Sequence, residues 1–290
     1  MKKNYLIGSI FTISASLLWG VVGVFYFKFA LFANPIELVI HRTVWTTFLL
    51  IITTTLYSKW DEFFSIVKIK KNIILLFLTG LLVATNWLTW IYALATERLL
   101  DSSFGYYIYP ILSVFFGIVF LKEKYNKNKI ISVILVFVST FYLIIYYKTL
   151  PWIGLTVAVS FSIYSLIRKK IKVSADIGLL VETLFLTPIA IVAFFFLTKK
   201  GLNIFSINNP LLSFYLFWAG LMTLAPLFLY IKGFKLAGIG PASMIFFITP
   251  TAQFIIGVVY FGELLDPHKI VSFIIIWIAV VIYLNELRKE

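Results

Sequence analysis

Apolar residues run along this chain in stretches of roughly 20, the length a helix needs to cross about 30 Å of hydrocarbon. Short segments in which Lys and Arg collect separate these stretches. Ten spans are predicted: Asn4–Lys28, Asn34–Tyr57, Asn72–Thr96, Ser102–Leu121, Asn128–Tyr147, Leu150–Ile167, Ile177–Thr198, Leu211–Ile231, Gly240–Phe261 and His268–Leu287. The sixth is the weakest, because it is short and carries Ser160, Ser162, Tyr164 and Ser165, so it is expected to face protein or a polar cavity. The first follows Lys2 and Lys3 in the manner of a signal peptide, but its apolar run continues to about Lys28 and further spans follow. It is expected to stay as the first helix.

The basic residues orient this arrangement. With the N-terminus in the cytoplasm, 18 of the 25 Lys and Arg fall on the inside, in clusters at Lys2–Lys3, Lys59–Lys71, Lys122–Lys129, Arg168–Lys172, Lys232–Lys235 and Arg288–Lys289. Removing one span would place the later clusters on the wrong side, so the asymmetry favours ten helices with both termini cytoplasmic. A shift of 140 residues then aligns Pro110 with Pro250, Gly117 with Gly257, Glu123 with Glu263, Lys129 with Lys269, Ile130 with Ile270 and Ser132 with Ser272. Gly80 with Gly220 and Ser103 with Ser243 extend the match upstream. Each copy holds five spans, an odd number, so the second enters the membrane from the opposite side. The expected fold is an all-α membrane protein of ten transmembrane helices in two inverted five-helix repeats, residues 1–147 and 148–290. Inverted repeats open a midplane site first to one face and then to the other, which favours transport; the competing reading is a duplicated scaffold with no transport role.

Composition agrees with the pattern. Of 290 residues 61% are hydrophobic, 13% are charged and 30 are Phe, which puts the chain in lipid rather than water. A formal charge of +13 would suit nucleic acid only if it formed one polar face, and instead it lies between the spans. With no Cys and two His there is no thiolate site and little for a metal centre, and neither metal nor cofactor is expected. No Gly-rich phosphate loop, zinc motif or nucleophile elbow is present, which argues against an enzyme and against an ATP-driven pump with an ATPase subunit. The expected partners are membrane lipid and a small-molecule substrate, with the protein a monomer or a homodimer.

Ionisable groups inside a bilayer cost about 2.5–3.5 kcal/mol each, so those within spans ask for a reason. Glu182 lies about five residues into the seventh span, where it would be desolvated and could exchange protons with one face. It is the proton-coupling candidate, with a structural ion pair as the alternative. Arg42 lies too deep in the second span to snorkel easily, and would hold an anionic substrate group, a carboxylate of another helix, or backbone carbonyls. Glu37 and His41 share a face there at a spacing of four. Asn86, Trp87 and Trp90 in the third span, with Tyr106, Tyr107 and Tyr109 in the fourth, offer polar-tipped aromatic surfaces for amphipathic or cationic organic solutes; core filling is the plainer account. The candidate substrate-binding set is His41, Arg42, Asn86, Trp87, Trp90, Tyr106, Tyr109 and Glu182. Pro110, Pro188, Pro226 and Pro250 fall within spans; Pro110, Pro226 and Pro250 are candidate hinges, and the paired positions of Pro110 and Pro250 point to a site or hinge.

These residues together resemble the drug/metabolite transporter superfamily, in its EamA-type ten-helix branch and within it the RarD permeases. The resemblance rests on Trp19-Gly20, Phe27-Lys28, His41-Arg42, Asn86-Trp87-Leu88, Gly105-Tyr106 with Pro110, and Leu121 with Glu123. It continues through Arg168-Lys169-Lys170-Ile171, Glu182-Thr183, Pro226-Leu227, Gly262-Glu263 and Ile276-Trp277 with Ala279, and so covers nearly the whole chain. It implies a central cavity between the repeats, alternating access, and export or exchange of small metabolites across a bacterial inner membrane. Tyr109 departs from the Asn that the resemblance leads one to expect before the proline, which puts specificity at that position in question. The expected function is a secondary transporter of amino-acid-like or drug-like organic solutes. The alternatives are a membrane enzyme or lipid-handling protein, for which Glu97, Arg98 and Asp101 are the candidate polar cluster, or a passive channel.

Overall fold

The computed structural model describes residues 2–122, 126–237, 242 and 245–287, and every described element is helical. Glu123, Gly240, Ser243, Arg288 and Lys289 lie outside the described residues. The elements are α1 (Asn4–Phe32), α2 (Pro35–Leu56), α3 (Trp60–Val67), α4 (Lys70–Ala95), α5 (Leu99–Leu121), α6 (Lys127–Tyr147), α7 (Trp152–Lys169), α8 (Ala175–Lys199), α9 (Pro210–Ala237), α10 (Ile248–Tyr260) and α11 (Pro267–Leu287). Helices are what hydrocarbon demands, because each one satisfies its backbone hydrogen bonds internally.

Eight of these helices are long and apolar enough to cross a membrane. α7, diluted by its serines and ending in Arg168 and Lys169, and the shorter α10 are the two expected spans that fall short by length and composition. The short α3 was not anticipated. Its Ile66 is buried against Leu76, Ile171 and Val181, while Lys59 pairs with Asp176 and Glu62 accepts from the Ser174 amide at 2.7 Å. Much of the remaining surface is apolar: Ile145, Ile191, Val192, Phe195 and Phe196 are all exposed, as side chains facing lipid must be.

Helix ends are set by local chemistry. Asn34 accepts from the Ile36 amide at 2.9 Å, with Pro35 in the first turn of α2, and Asn126 accepts from Lys129 at 3.0 Å. Asp266 accepts from the His268 and Lys269 amides at 2.8 and 3.1 Å, and from the Tyr147 hydroxyl. Burial alone would raise the Asp266 carboxyl, but these hydrogen bonds hold it below the usual aspartate range. Glu263 reaches from the α10–α11 loop to the first amides of α5, Leu99 at 2.6 Å and Leu100 at 2.8 Å. Its burial pushes its carboxyl above the usual range despite those two donors.

Packing follows the 140-residue spacing. α1 lies against α9 as α7 lies against α4, and α2 against α9 as α8 against α4. α2 meets α8, α5 meets α10 and α6 meets α11 directly. Two of these contacts join residues 140 positions apart: Thr47 and Thr187 share a hydrogen bond of 3.0 Å, and the Tyr107 and Phe247 rings stack at 6.3 Å. Ser139 and Ser272 join α6 to α11 at 2.6 Å, the small-residue hydrogen bonding that holds helices together in lipid. Gly220 permits the close approach of α9 to α2: a Cβ there would stand 2.6 Å from the Trp45 backbone.

Gly220→Ala should therefore lower stability in detergent by about 1–3 kcal/mol, whereas Gly257→Ala, whose Cβ would meet side-chain atoms alone, Leu100 at 3.3 Å and Glu263 at 3.6 Å, should cost less. Asp266→Ala should cost about 1 kcal/mol. Because the Asp266 carboxyl is lowered in the fold, its contribution is complete above about pH 4 and fades as the pH falls through the lowered value. Thermal melts of both proteins at pH 7 and at acid pH check this sign.

Candidate substrate-binding site

Arg42 is 92% buried on α2, its residual exposure being 8%. Its Nε donates to the Thr223 hydroxyl of α9 at 2.8 Å. Its guanidinium carbon lies 4.3 Å from the centre of the Trp87 ring and 5.2 Å from that of Phe27, so two aromatic faces stabilise the cation. Among the described residues no carboxylate pairs with it. Trp90 meets the Phe27 ring edge-on at 5.4 Å, and its buried indole N–H has no acceptor among the described residues. The Tyr106 hydroxyl, within electrostatic range of Arg42, donates to Asn86 Oδ1 at 2.9 Å. The Asn86 amide donates onward to the Val157 carbonyl at 3.2 Å and to Ser160 at 3.4 Å, both on α7. Of the serines that made α7 a weak span, Ser160 thus meets Asn86 and Ser162 donates to the Tyr109 carbonyl of α5 at 2.9 Å, both inside the bundle. Arg42, Asn86, Trp87, Trp90 and Tyr106 come together as one donor-rich, aromatic-walled site.

Glu182 lies elsewhere. It is fully buried on α8, accepts from Thr79 of α4 at 2.7 Å and from Tyr164 of α7 at 3.3 Å, and has the Arg168 Nε at 3.6 Å. A chain of rings connects this cluster to the first site. Tyr164 stacks on Phe161 at 5.4 Å, and Phe161 meets Tyr106 at 6.4 Å and Tyr109 at 5.0 Å. Tyr109 continues to Phe246 at 5.9 Å, which in turn touches Trp19 and Tyr230.

His41 faces away from Arg42. It accepts from the Trp45 indole at 3.1 Å, packs on Phe205 at 4.6 Å and has the Glu37 carboxylate at 3.8 Å. Glu37 accepts from the Ile204 and Phe205 amides at 2.9 Å, so this pair clamps the α8–α9 connection. Glu97 pairs with Lys28, and Asp101 with Arg98 and Lys269, as ties between helix ends. Pro110 and Pro226 are interior to α5 and α9. Pro250 instead falls in the first turn of the α10 segment that begins at Ile248, where no intrahelical donor is lost.

Phe27, Thr79, Phe161, Tyr164, Arg168 and Thr223 complete these clusters without having been singled out as site residues. One signal was legible: the 140-residue shift also aligns Arg42 with Glu182, Thr43 with Thr183 and Thr47 with Thr187. The two buried charges thus occupy matching places on α2 and α8.

A bundle of apolar helices around a buried polar and aromatic interior is the architecture of a multi-pass membrane transporter. The EamA-like transporter family matches residues 6–145. Protein RarD of Salmonella typhi is 31% identical over 279 residues, covering 96% of this chain and 95% of its own. An uncharacterized transporter of Vibrio cholerae is 32% identical over 95% of this chain and 91% of its own, and the uncharacterized transporter YojE of Bacillus subtilis is 30% identical over 95% and 93%. A crystal structure matching 100% of this chain and 99% of its own, with a TM-score of 0.58 at 14% identity, shares the fold. The chain belongs to the RarD-like permeases of the EamA-type drug/metabolite transporter superfamily.

Tyr106→Phe should cost about 1–3 kcal/mol, because it leaves the buried Asn86 carbonyl oxygen without its donor. Combining it with Asn86→Leu should cost less than the sum of the two single changes, and a double-mutant cycle of melting measurements reads the difference.

Proposed function

We propose that this permease is a secondary transporter of small organic solutes bearing an anionic group, amino-acid-like compounds foremost. It works by alternating access across the bacterial inner membrane with both termini in the cytoplasm. In this reading α7 and α10 are also spans, α3 lies at the cytoplasmic interface, and the ten spans form two inverted five-helix repeats. The interchange of helix packings under the 140-residue shift, and the contacts of Thr47 with Thr187 and Tyr107 with Phe247, support the repeat. The basic clusters around α3, before α6 and after α7 support the orientation.

One observation carries the choice of substrate: Arg42 is a buried cation flanked by aromatic rings and lacking a carboxylate among the described residues. A cation in a low-dielectric interior is costly, and a substrate anion offsets that cost only while it is bound. The guanidinium fork suits a carboxylate, and Phe27, Trp87 and Trp90 provide apolar walls for the rest of the molecule. Asn86 reaches Val157 and Ser160 of α7 and Arg42 reaches Thr223 of α9, so a solute held by this first-repeat cluster lies beside the second repeat. In this reading the buried site binds the solute and opens to one face at a time, giving export or exchange rather than a passive pore.

Purified protein in liposomes should exchange labelled phenylalanine, tryptophan, 4-hydroxybenzoate or chloramphenicol against the same unlabelled compound. Arg42→Ala should weaken exchange of the carboxylates about ten- to hundred-fold, the loss of a charged hydrogen bond, while leaving the neutral compound less affected. Arg42→Lys should recover only part of the loss, since it keeps the charge but not the fork. No exchange of any panel member would overturn the reading.

A further inference from the structure

Arg42 and Glu182 stand at the repeat spacing and flank the same contact, each five residues before Thr47 or Thr187 in its own helix. α2 and α8 start at opposite ends of the bundle, so the two charges lie on opposite sides of that crossing, about 7.5 Å from it at 1.5 Å per residue. The same position along the two helices thus carries a cation toward one face of the bundle and a carboxyl group toward the other. The two are held differently. Arg42 waits in an aromatic sandwich, whereas Glu182 already has three polar neighbours and no room for an organic solute.

The groups facing Glu182 are few. α7 contributes Arg168 and Tyr164, and α4 contributes the hydroxyl of Thr79 and the backbone around Gly80. At the crossing α2 offers Thr47, which does not titrate. Lys59 and Glu62, beside α3, engage Asp176 and Ser174 at the start of α8 rather than Glu182. The link to Arg168 is loose: 3.6 Å from Nε exceeds a hydrogen bond, Nη2 makes only 3.4 Å contacts to the Ser174 and Ala175 carbonyls, and Nη1 is buried without an acceptor. The Arg168 side chain is 12% exposed, so its head can turn toward water at the Ser174 end, while Glu182 is wholly enclosed. The other buried carboxylates, Glu37, Asp176 and Glu286, are held at helix ends by backbone amides, a lysine and two asparagine amides.

We propose that Glu182 is the proton-binding site of this permease, and that its protonation controls the closure of α7 on α8. The proposal rests on the transport reading given above. When ionised, Glu182 attracts Arg168 and holds the end of α7 against α8. A proton arriving from water at that end adds to a carboxylate oxygen, forming an O–H bond and cancelling the charge; Arg168 then turns outward, and α7 is free to part from α8 and to close again as the loaded carrier changes face. In the neutral acid the carbonyl oxygen still accepts from one of Thr79 and Tyr164, and the new O–H donates to the hydroxyl of the other, so both partners are kept. The ring path from Tyr164 through Phe161 to Tyr106 carries the movement to Asn86 and the Arg42 site. Deprotonation on the opposite face breaks the same O–H bond and closes the cycle, carrying one proton across with each turnover.

The test uses labelled phenylalanine, or the panel compound that exchanges best, in liposomes containing the full chain. Exchange at equal pH needs no net proton movement; accumulation against a gradient does. Wild type should do both, and an imposed difference of one pH unit should drive accumulation toward about tenfold. Glu182→Gln should retain exchange and lose accumulation, and Glu182→Asp should retain both. Wild type that exchanges without responding to the pH gradient overturns the proposal, as does Glu182→Gln that still accumulates. Absence of exchange in wild type instead removes the transport reading for that compound. Should Glu182→Gln fail to fold, Arg168→Gln decides: an altered pH profile of accumulation with intact exchange is expected, and an unaltered profile overturns the proposal.

Discussion

The cost of a polar group in hydrocarbon governs this structure. Backbone amides escape it by forming helices, and side chains escape it by finding one another between them. The contacts that join α2 to α8, α5 to α10 and α6 to α11 are accordingly hydroxyl pairs: Thr47 with Thr187, Tyr107 with Thr251, Ser139 with Ser272. Each is modest alone. Together they place polar surface along the line where the two halves of the chain meet, which is where a solute crossing between them would need it.

The buried charges obey the same constraint by three different means. Glu37, Asp176 and Glu286 are spent on helix ends and connections, where free backbone amides, a lysine or asparagine amides receive them. Glu182 has hydroxyls and a loosely held arginine. Arg42 has aromatic faces and a single threonine. The progression runs from fully tied to conspicuously under-tied, and the proposed roles follow it: clamps for the first group, a proton site for the second, a substrate site for the third. Cation–π contact is suited to that last role, since an aromatic face steadies a guanidinium without occupying the directions in which its N–H groups point.

The aromatic excess has a similar division of labour. Some rings face lipid, as Phe195 and Phe196 do. Others form a connected interior series from Tyr164 through Phe161 and Tyr109 to Phe246 and Trp19. Rings packed edge to face transmit displacement because close-packed interiors resist continuous deformation. Tyr109 lies on the branch of that series that leads from Phe161 to Phe246, outside both polar clusters.

Much of the architecture was legible in the chain itself. Apolar run length marks spans because membrane thickness is a fixed ruler, and eight helices match it directly. The positions of Arg42 and Glu182 were equally plain, since a charge within such a run stands out whatever surrounds it. What surrounds each one was not legible. The chain left open whether Arg42 pairs with a carboxylate, and the tertiary structure gives it Phe27, Trp87 and Thr223 from three other helices. It grouped His41 with Arg42 as neighbours, and helix geometry turns them to different faces, one toward Glu37 and Phe205, the other inward. It gave no sign of α3, whose eight residues are too few to register as an apolar run. The reason is common to all three: span length and burial cost are properties of one segment in one solvent, whereas a partner is decided by which helices pack together, a relation between residues far apart in the chain.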